Sequence, residues 1–321
     1  MKKRIICLAL AALMVLSAFA FTGCGEKKAN DKYVVGICQL VQHAALDAAT
    51  QGFMDALNEA LPGKVEFQNK NASGEANNCA TIVNGFVSDK VDLIMANATP
   101  ALTAAVSATK DIPILGTSIT AYGVALDIAD FSGTVGGNVS GTSDLADLSA
   151  QAAMITEWFP GTKTVGLLFC SAEPNSRYQI EEVAKYLADK GIESKEFAFT
   201  DTNDVTAVTQ AAADYADVIY IPTDNTAAAN TEAIANVLIP AKVPAICGEE
   251  GICSGCGVAT LSISYYDLGV TTGKMAAKIL TGETDISKMP IEYTSATKKY
   301  NASMCDALGI KPLDGYTAIG E

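Results

Sequence analysis

The stretch VDLIMANATPALTAA, residues 91–105, shares its plan with ADVIYIPTDNTAAAN, residues 216–230. In both, a run of strand-forming residues ends at a polar tip and is followed by alanine-rich sequence that favours a helix. Two further pairs of segments recur in the same order: KYVVGICQLVQHAALDAATQGFMDAL from Lys32 with KTVGLLFCSAEPNSRYQIEEVAKYL from Lys163, and DIPILGTSIT from Asp111 with KVPAICGEEG from Lys242. The members of the three pairs are 125 to 131 residues apart. The chain therefore contains two similar halves.

Each half alternates apolar strands with helical segments, which is typical of a parallel sheet covered by helices on both faces. We predict an α/β fold with two similar, doubly wound lobes. The segment DFSGTVGGNVSGTSD, residues 130–144, lies between the halves and lacks a long apolar run. Its Gly, Ser and Thr content predicts a crossover hinge.

The N-terminus has the order of a secretory signal. A basic start at residues 2–4 precedes an apolar run over residues 5–21, and Thr22-Gly23-Cys24 follows. The end of this run resembles a bacterial lipobox, in which the cysteine is lipid-modified and becomes the first mature residue. We predict a signal peptide over 1–23, a lipid on Cys24 and a tether over 24–32. An ordinary signal peptide with an incidental cysteine is the alternative.

The net charge of the chain limits the kinds of partner that it can bind. The chain carries a formal charge of −14, and loss of residues 1–23 removes three positive charges, giving −17. Nucleic acid and anionic lipid surfaces are therefore poor partners. The predicted mature chain has one arginine, Arg177, which excludes a phosphate site built from several guanidinium groups.

Nine cysteines occur in the chain, and seven remain after Cys7 in the signal and Cys24 are set aside. Cys253 and Cys256 form a CxxC in GICSGCG, with no second CxxC and no nearby histidine. A metal site or redox catalysis is therefore disfavoured. A disulfide between Cys253 and Cys256, or two free thiols, both remain open. We predict no metal and no cofactor.

Ligands bind outside the carboxyl ends of parallel strands, so the repeated polar tips of both lobes should face one interlobe cleft. The first lobe offers mainly hydroxyls there and the second offers carboxylates. That asymmetry predicts a zwitterionic ligand, with its ammonium held by Asp224 and Glu249 and its carboxylate by hydroxyls and backbone N–H groups. Alternatively, Asp224 and the hydroxyl residues at these tips are helix N-caps, and His43 is structural. The predicted ligand-binding residues are His43, Thr99, Ser118, Thr120, Asn175, Thr223, Asp224, Asn225 and Glu249.

Seven collinear segments carry a family resemblance: VGICQLVQHAALDAATQGFMDAL, NASGEANN, FVSDKVDLIMANATPAL, ATKDIPIL, GGNVSGTSDL, YIPTDNTAAA and SYYDLGVTTGKMAAKIL. Together they resemble the ABC-transporter substrate-binding lipoproteins that are assigned to tryptophan and related aromatic amino acids. The resemblance implies the type I periplasmic-binding-protein fold, with two lobes and a three-crossing hinge. We place the first lobe at residues 33–138 plus 265–288 and the second at 139–264 plus 289–321.

The resemblance also implies roles. Thr99, Ser118 and Thr120 would hold the ligand from one side, and Asp224, Asn225 and Glu249 from the other, while His43 and Asn175 match cleft residues of the family. It implies a monomer, lipid-anchored on the outer face of a bacterial membrane, that closes on its ligand and delivers it to a permease. The permease and ATPase would be separate chains, since no GxxxxGK[ST] occurs here.

Three other classes of protein fit the sequence less well. An enzyme is disfavoured because the chain has one histidine, no GxSxG and no metal-ligand spacing. A sugar- or nucleoside-binding protein of the same fold stays open, since Tyr122, Tyr178 or Tyr265 could supply an aromatic platform. A surface adhesin or sensor that uses the same cleft is the third alternative.

Overall fold

Two sheets, the first parallel and the second mostly parallel, form the framework of the computed structural model, which describes residues 32–320. The first sheet has six parallel strands in the order β11-β5-β4-β3-β1-β2. These strands are β1 Tyr33–Gln39, β2 Val65–Asn71, β3 Leu93–Asn97, β4 Ile114–Ile119, β5 Val139–Ser143 and β11 Glu292–Tyr293. The helices of this lobe are α1 Ala44–Ala60, α2 Ala76–Asp89, α3 Thr99–Ala108, α4 Tyr122–Ala125 and α11 Tyr265–Leu280, with a 3₁₀ turn at Ile286–Lys288.

The second sheet has seven strands in the order β13-β12-β10-β9-β8-β6-β7, of which β12 runs antiparallel to β10. These strands are β6 Thr164–Cys170, β7 Glu193–Phe199, β8 Val218–Ile221, β9 Ala245–Cys247, β10 Ala259–Ile263, β12 Ala296–Tyr300 and β13 Thr317–Ala318. Its helices are α5 Leu148–Trp158, α6 Pro174–Asp189, α7 Val205–Tyr215, α8 Asn225–Ala228, α9 Thr231–Ala241, α10 Glu250–Cys256 and α12 Ala302–Leu308.

The sequence repeat maps onto equivalent elements. The strands of the first lobe run in the order 2-1-3-4-5, and the corresponding strands of the second run 7-6-8-9-10. The paired segments become β1–α1 and β6–α6, then β3–α3 and β8–α8, then β4 and β9. The predicted two-lobe α/β fold is therefore confirmed.

The predicted lobe boundaries need correction at two places. β5 pairs with β4 through Ile114 and Val139, so residues 139–143 belong to the first sheet. β11 pairs with β5 through Glu292 and Thr142, which extends the first lobe past residue 288. The chain thus crosses between the lobes three times, at residues 144–147, at Ser264 and at residues 294–295.

β5 resembles a hinge in sequence because it reads VSGTS, yet all five residues are buried. Its hydroxyls find partners inside the lobe. Thr142 Oγ1 lies 3.2 Å from Thr117 Oγ1 and 2.9 Å from Thr272 Oγ1, and Ser140 Oγ donates to the carbonyl of Met289 at 3.1 Å. A polar strand can be buried when its hydroxyls are hydrogen-bonded in this way.

Helix α11 packs closely against α1 of the first lobe, with glycines on both helices at the interface. A Cβ placed on Gly269 would lie 2.0 Å from the carbonyl oxygen of Ala49, and one on Gly273 would lie 2.6 Å from that of Phe53. On the facing helix, a Cβ on Gly52 would lie 2.1 Å from the carbonyl oxygen of Tyr266. The two helices approach closely because these positions carry no side chain.

Trp158 is buried and meets Tyr316 edge-on, with ring centroids 5.0 Å apart, as expected of a packing residue. Cys253 and Cys256 are free, buried thiols, so the disulfide alternative is absent from the structure. Within residues 32–320, no helix combines the length and the apolar character needed to cross a bilayer. The predicted signal peptide, Cys24 and all but the last residue of the tether lie outside the described residues.

Candidate functional site

The carboxyl ends of the two sheets enclose a cavity between the lobes. It is narrow, with about 10 Å³ open to the centre of a water molecule. Its lining residues are His43, Leu46, Ser118, Thr120, Asp144, Asn175, Thr223, Asp224, Asn225, Ala228, Glu249 and Tyr265. Eight of the nine predicted residues are among them. The exception is Thr99, which is the first residue of α3 and is buried outside the lining.

On the first lobe, the end of β4 presents Ser118. Its backbone φ is +56°, and the register between β4 and β5 shifts between Gly116 and Ile119. The left-handed conformation is uncommon for a residue with a side chain and often occurs at functional sites. The Ser118 hydroxyl is buried and has no partner in the described structure.

His43 occupies the N-cap position of α1 and contacts the second lobe. Its Nε2 lies 3.4 Å from Asn225 Oδ1. The Asn225 amide nitrogen donates to Glu173 Oε2 at 2.7 Å, which leaves the amide oxygen facing His43. Burial lowers the pKa of His43, which favours a neutral imidazole. The neutral ring therefore donates from Nε2 and presents Nδ1 as an acceptor, and Nδ1 has no partner within residues 32–320.

On the second lobe, Asp224 and Glu249 are N-caps. Asp224 accepts from the backbone N–H of Ala227 at 2.8 Å and of Cys170 at 2.7 Å, one on each oxygen. Both oxygens of Glu249 likewise accept backbone N–H groups at the start of α10. The cap alternative raised for Asp224 therefore holds. Ser264 likewise caps α11 by accepting from the backbone N–H of Asp267, whereas the helices that follow β3, β4 and β8 have Ala98, Ala121 and Asp224 at the N-cap and no hydroxyl cap.

Burial in this cavity raises the pKa of both carboxyl groups. It raises the pKa of Asp224 to about 8, with the nearby charge of Glu173 as a second cause. It raises the pKa of Glu249 to about 7, against the effect of its backbone hydrogen bonds. A carboxylate is costly to bury without a cation, and both groups would be more easily ionised beside one.

Glu173 was missed by the sequence reasoning. It is 5% exposed and precedes α6. Its Oε1 accepts from the backbone and hydroxyl of Thr226, both at 2.8 Å. Its Oε2 accepts from the backbone of Asn225 at 3.0 Å and from the side-chain amides of Asn225 and Asn175 at 2.7 and 3.3 Å. This carboxylate fixes the loop that carries the predicted residues.

Asp144 was also missed, although it ends the segment that we interpreted as a hinge. It lies at the first crossing, and its Oδ2 accepts from the hydroxyl of Tyr265 at 2.9 Å, next to the second crossing. Its Oδ1 has no partner in the described structure, and burial raises the pKa of the carboxyl group. The sequence indicates Tyr265 only as a candidate platform for a sugar ring, and the structure places its hydroxyl on Asp144.

The lining combines acidic side chains with unpaired polar atoms. Asp144, Asp224 and Glu249 line it, and no lysine or arginine of residues 32–320 does. Four buried polar atoms of the lining residues lack a partner within residues 32–320. They are His43 Nδ1, Ser118 Oγ, Asp144 Oδ1 and Asn175 Oδ1. Buried polar atoms are normally hydrogen-bonded, so such a cluster marks a place prepared for polar groups of another molecule.

Residues 34–312 match the family described as "ABC transporter substrate binding protein". The chain belongs to this family. It is also 32% identical over 313 residues to the tyrosine-binding protein of Clostridioides difficile, which covers 92% of this chain and 89% of the relative. The predicted family is confirmed, and the protein is a substrate-binding protein rather than an enzyme.

Two solved structures extend the comparison. One is the ABC domain in complex with L-Trp from Streptococcus pneumonia, with a TM-score of 0.85 and 29% identity over 90% of this chain and all of that chain. The other is the ligand-free, open structure of a substrate-binding protein with adhesive properties from Clostridium difficile. It has a TM-score of 0.68 and 32% identity over 89% of this chain and 99% of that chain. The two lobes of this chain thus superpose better on the L-Trp complex.

Proposed function

We propose that this substrate-binding protein captures an aromatic amino acid in the interlobe cavity, outside the cytoplasm, and delivers it to the permease of an ABC importer. The observation that carries the proposal is the cluster of unpaired acceptors beside buried carboxylates in a cavity lined by no cation. An α-ammonium group supplies both the positive charge and the hydrogen-bond donors that such a cavity lacks.

The ammonium group has three N–H donors, and three unpaired acceptors line the cavity: His43 Nδ1, Asp144 Oδ1 and Asn175 Oδ1. Asp224 and Glu249 add negative potential, although their oxygens already accept backbone N–H groups. A cation at this position would stabilise the charged form of all three acids. The proposed amine site thus combines the predicted Asp224 and Glu249 with Asp144.

The ligand carboxylate would lie on the first-lobe side, near the hydroxyls of Ser118 and Thr120. Ser118 Oγ is the unpaired group of the lining that can donate to it. Thr99 lies outside the lining, so its predicted role is taken to be structural. Since no arginine or lysine of the described part of the chain lines the cavity, neutral donors and backbone N–H groups would have to hold this carboxylate.

The choice of an aromatic side chain is supported by the relatives, one named for tyrosine and one solved with L-Trp. Leu46, Ala228 and the ring of Tyr265 form the apolar part of the lining. A ring can pack against such a wall while the polar groups hold the amino-acid backbone. An open form would admit the ligand, and lobe closure would follow from its higher affinity for the closed form.

The location and partners complete the proposal. A lipid on Cys24 would hold a monomer at the outer face of the membrane, and residues 24–32 would connect the anchor to the first lobe. The permease and ATPase would be separate chains, and the closed lobes would present the surface that the permease recognises.

Calorimetric titration tests the proposal. Residues 30–321, refolded without carried-over ligand, would be titrated with each amino acid, tyramine and 3-phenylpropionate. We expect tight binding of an aromatic amino acid and much weaker binding of the analogues that lack either charged group. Asp144→Asn should weaken binding at least tenfold, while Glu181→Gln on the exposed face of α6 should not change it. Binding of a sugar or nucleoside, with no heat from amino acids, would overturn the assignment.

Adhesion is a second candidate, since one of the solved relatives is a substrate-binding protein with adhesive properties. Binding of the purified chain to a layer of epithelial cells would support it. The same amount of binding by a charge-matched unrelated protein would remove this support.

A further inference from the structure

We infer that His43 and Asn225 form a gate that holds the ligand inside the closed cleft. The two side chains would meet only when the lobes close, and their separation would be the step that releases the ligand. This inference rests on the proposed function, because it concerns the exit route from the same cavity.

The pair joins the two lobes on the side of the cavity away from the hinge. His43 begins α1 of the first lobe, and Asn225 begins α8 of the second, with Nε2 and Oδ1 3.4 Å apart. Among the other hydrogen bonds of the lining, the one from Asn175 to the Thr223 carbonyl stays within the second lobe, and the one from Tyr265 to Asp144 connects two hinge crossings. A contact within the hinge can persist while the lobes open, whereas a contact across the cleft must break.

The position of the pair explains why it would control access. His43 lines the inner cavity and also an outer groove of about 330 Å³ that includes Thr231 and Ser254. Asn225 lines the inner cavity and also a cavity of about 350 Å³ at the mouth of the cleft. Each residue therefore has the inner cavity on one side and an outer space on the other. Together they form part of the wall that separates the ligand from solvent.

The two halves of the gate differ in how firmly they are held. Asn225 is fixed by Glu173, which accepts from both its backbone and its side-chain amide, at 3.0 and 2.7 Å. Its side-chain oxygen is thus oriented before His43 arrives. His43 makes no capping hydrogen bond on its own helix, so no bond within α1 competes with the contact between its ring and Asn225. The second lobe supplies a fixed acceptor, and the first lobe brings the donor.

A gate and a ligand contact made by His43 alone predict different kinetics for Asn225→Ala. The gate bond joins the lobes whatever ligand lies behind it, so its loss in Asn225→Ala should accelerate the dissociation of all ligands by the same factor, whereas a ligand contact of His43 alone would leave that rate unchanged. One neutral hydrogen bond corresponds to a factor of about five to ten. Adding Asn225→Ala to His43→Ala should change little more, because the bond is already absent.

Stopped-flow displacement on the full mature chain tests this inference. Bound L-tyrosine would be chased with excess L-tryptophan, and the reverse, in wild type, His43→Ala, Asn225→Ala and the double variant. Gln51→Ala, exposed on α1, is the matched control. We expect Asn225→Ala to raise the dissociation rate constant about five- to tenfold for either ligand, and His43→Ala to raise it by at least that factor, because it also removes the Nδ1 acceptor. The double variant should match His43→Ala, and His43→Gln, which keeps a donor, should restore part of the loss.

Additive effects, factors that differ between the two ligands, or unchanged dissociation would overturn the gate. Thermal denaturation identifies any variant that does not fold, and His43→Gln then replaces His43→Ala in the comparison. If wild type binds amino acids but the gate variants do not show the expected dissociation rate constants, the gate is wrong and the proposed function survives. If wild type binds no amino acid, both the proposed function and the gate are wrong.

Discussion

Replacing Glu173 by Gln should damage both stability and the site, although the two side chains have the same shape. The carboxylate is 5% exposed and accepts five hydrogen bonds, from the backbone and side chains of Asn225 and Thr226 and from the side chain of Asn175. An amide keeps one acceptor oxygen and replaces the other with a donor. The least costly arrangement turns the new NH₂ group toward Thr226, because three donors converge on the other oxygen.

The size of the effect follows from that arrangement. The Thr226 hydroxyl can rotate to accept from the new NH₂ group, but the Thr226 backbone N–H loses its acceptor, which costs about 1–3 kcal/mol. The three remaining bonds also lose the contribution of the charged acceptor, which roughly doubles the strength of such bonds. We expect Glu173→Gln to lower the free energy of unfolding by about 2–4 kcal/mol in total.

Urea denaturation followed by circular dichroism measures this loss. Glu181→Gln is the matched control, because Glu181 lies on the same helix and is exposed. A surface substitution of this kind should change stability by no more than about 0.5 kcal/mol. If Glu173→Gln and Glu181→Gln had the same stability, the carboxylate would not organise the loop at residues 225–226, and the account of the second-lobe side would be wrong.

Three further outcomes are expected. Gly269→Ala should lower stability by at least about 3 kcal/mol in thermal denaturation, since its Cβ would lie 2.0 Å from the Ala49 carbonyl oxygen. Gly85→Ala, with open space around it, should instead stabilise its helix by about 0.5–1 kcal/mol. Equal effects of the two substitutions would contradict the packing argument. Between pH 6.5 and 8 the ligand-free chain should lose stability as the pH rises. The reason is that Asp224 and Glu249, with pKa values raised to about 8 and about 7, still bind protons in the folded chain when the same groups in the unfolded chain are ionised. A stability that stays constant or rises over this range would refute this. A thiol reagent should titrate none of the seven described cysteines in the native chain and all seven in denaturant, and five in denaturant would instead reveal a disulfide.

The fold was accessible from sequence because its signals are local. Apolar strand runs followed by helical segments recur in both halves, and the position of a polar tip after each strand follows from the geometry of parallel sheets. That is why Ser118, Asn175 and Asp224 could be assigned to one cleft before the lobes were seen. The repeat also placed Thr99 there, but this residue starts its helix with the side chain outside the cavity lining.

The rest depends on contacts that no local pattern encodes. β5 looks like a linker because its hydroxyls are polar, and it is a buried strand only because Thr117 and Thr272 lie opposite Thr142. Asp144 enters the site because the first crossing passes beside Tyr265 at the second. Thr117 and Thr142 are 25 residues apart in sequence, and the other two pairs are 121 and 130 residues apart, so these pairings appear only in the folded chain.

The three crossings have a consequence for the order in which the protein can be built. The first lobe is unfinished when the chain leaves it after residue 143, because α11 and β11 are synthesised after most of the second lobe. Until then the glycine face of α1 around Gly52 and the edge of β5 have no partner from their own lobe. The contacts that complete the sheet and its helical layer are long-range, and such contacts form slowly. In a chain secreted from its N-terminus, the first-made lobe would therefore be among the last parts to become stable. A chain cut short at residue 264 would leave that lobe permanently without α11 and β11.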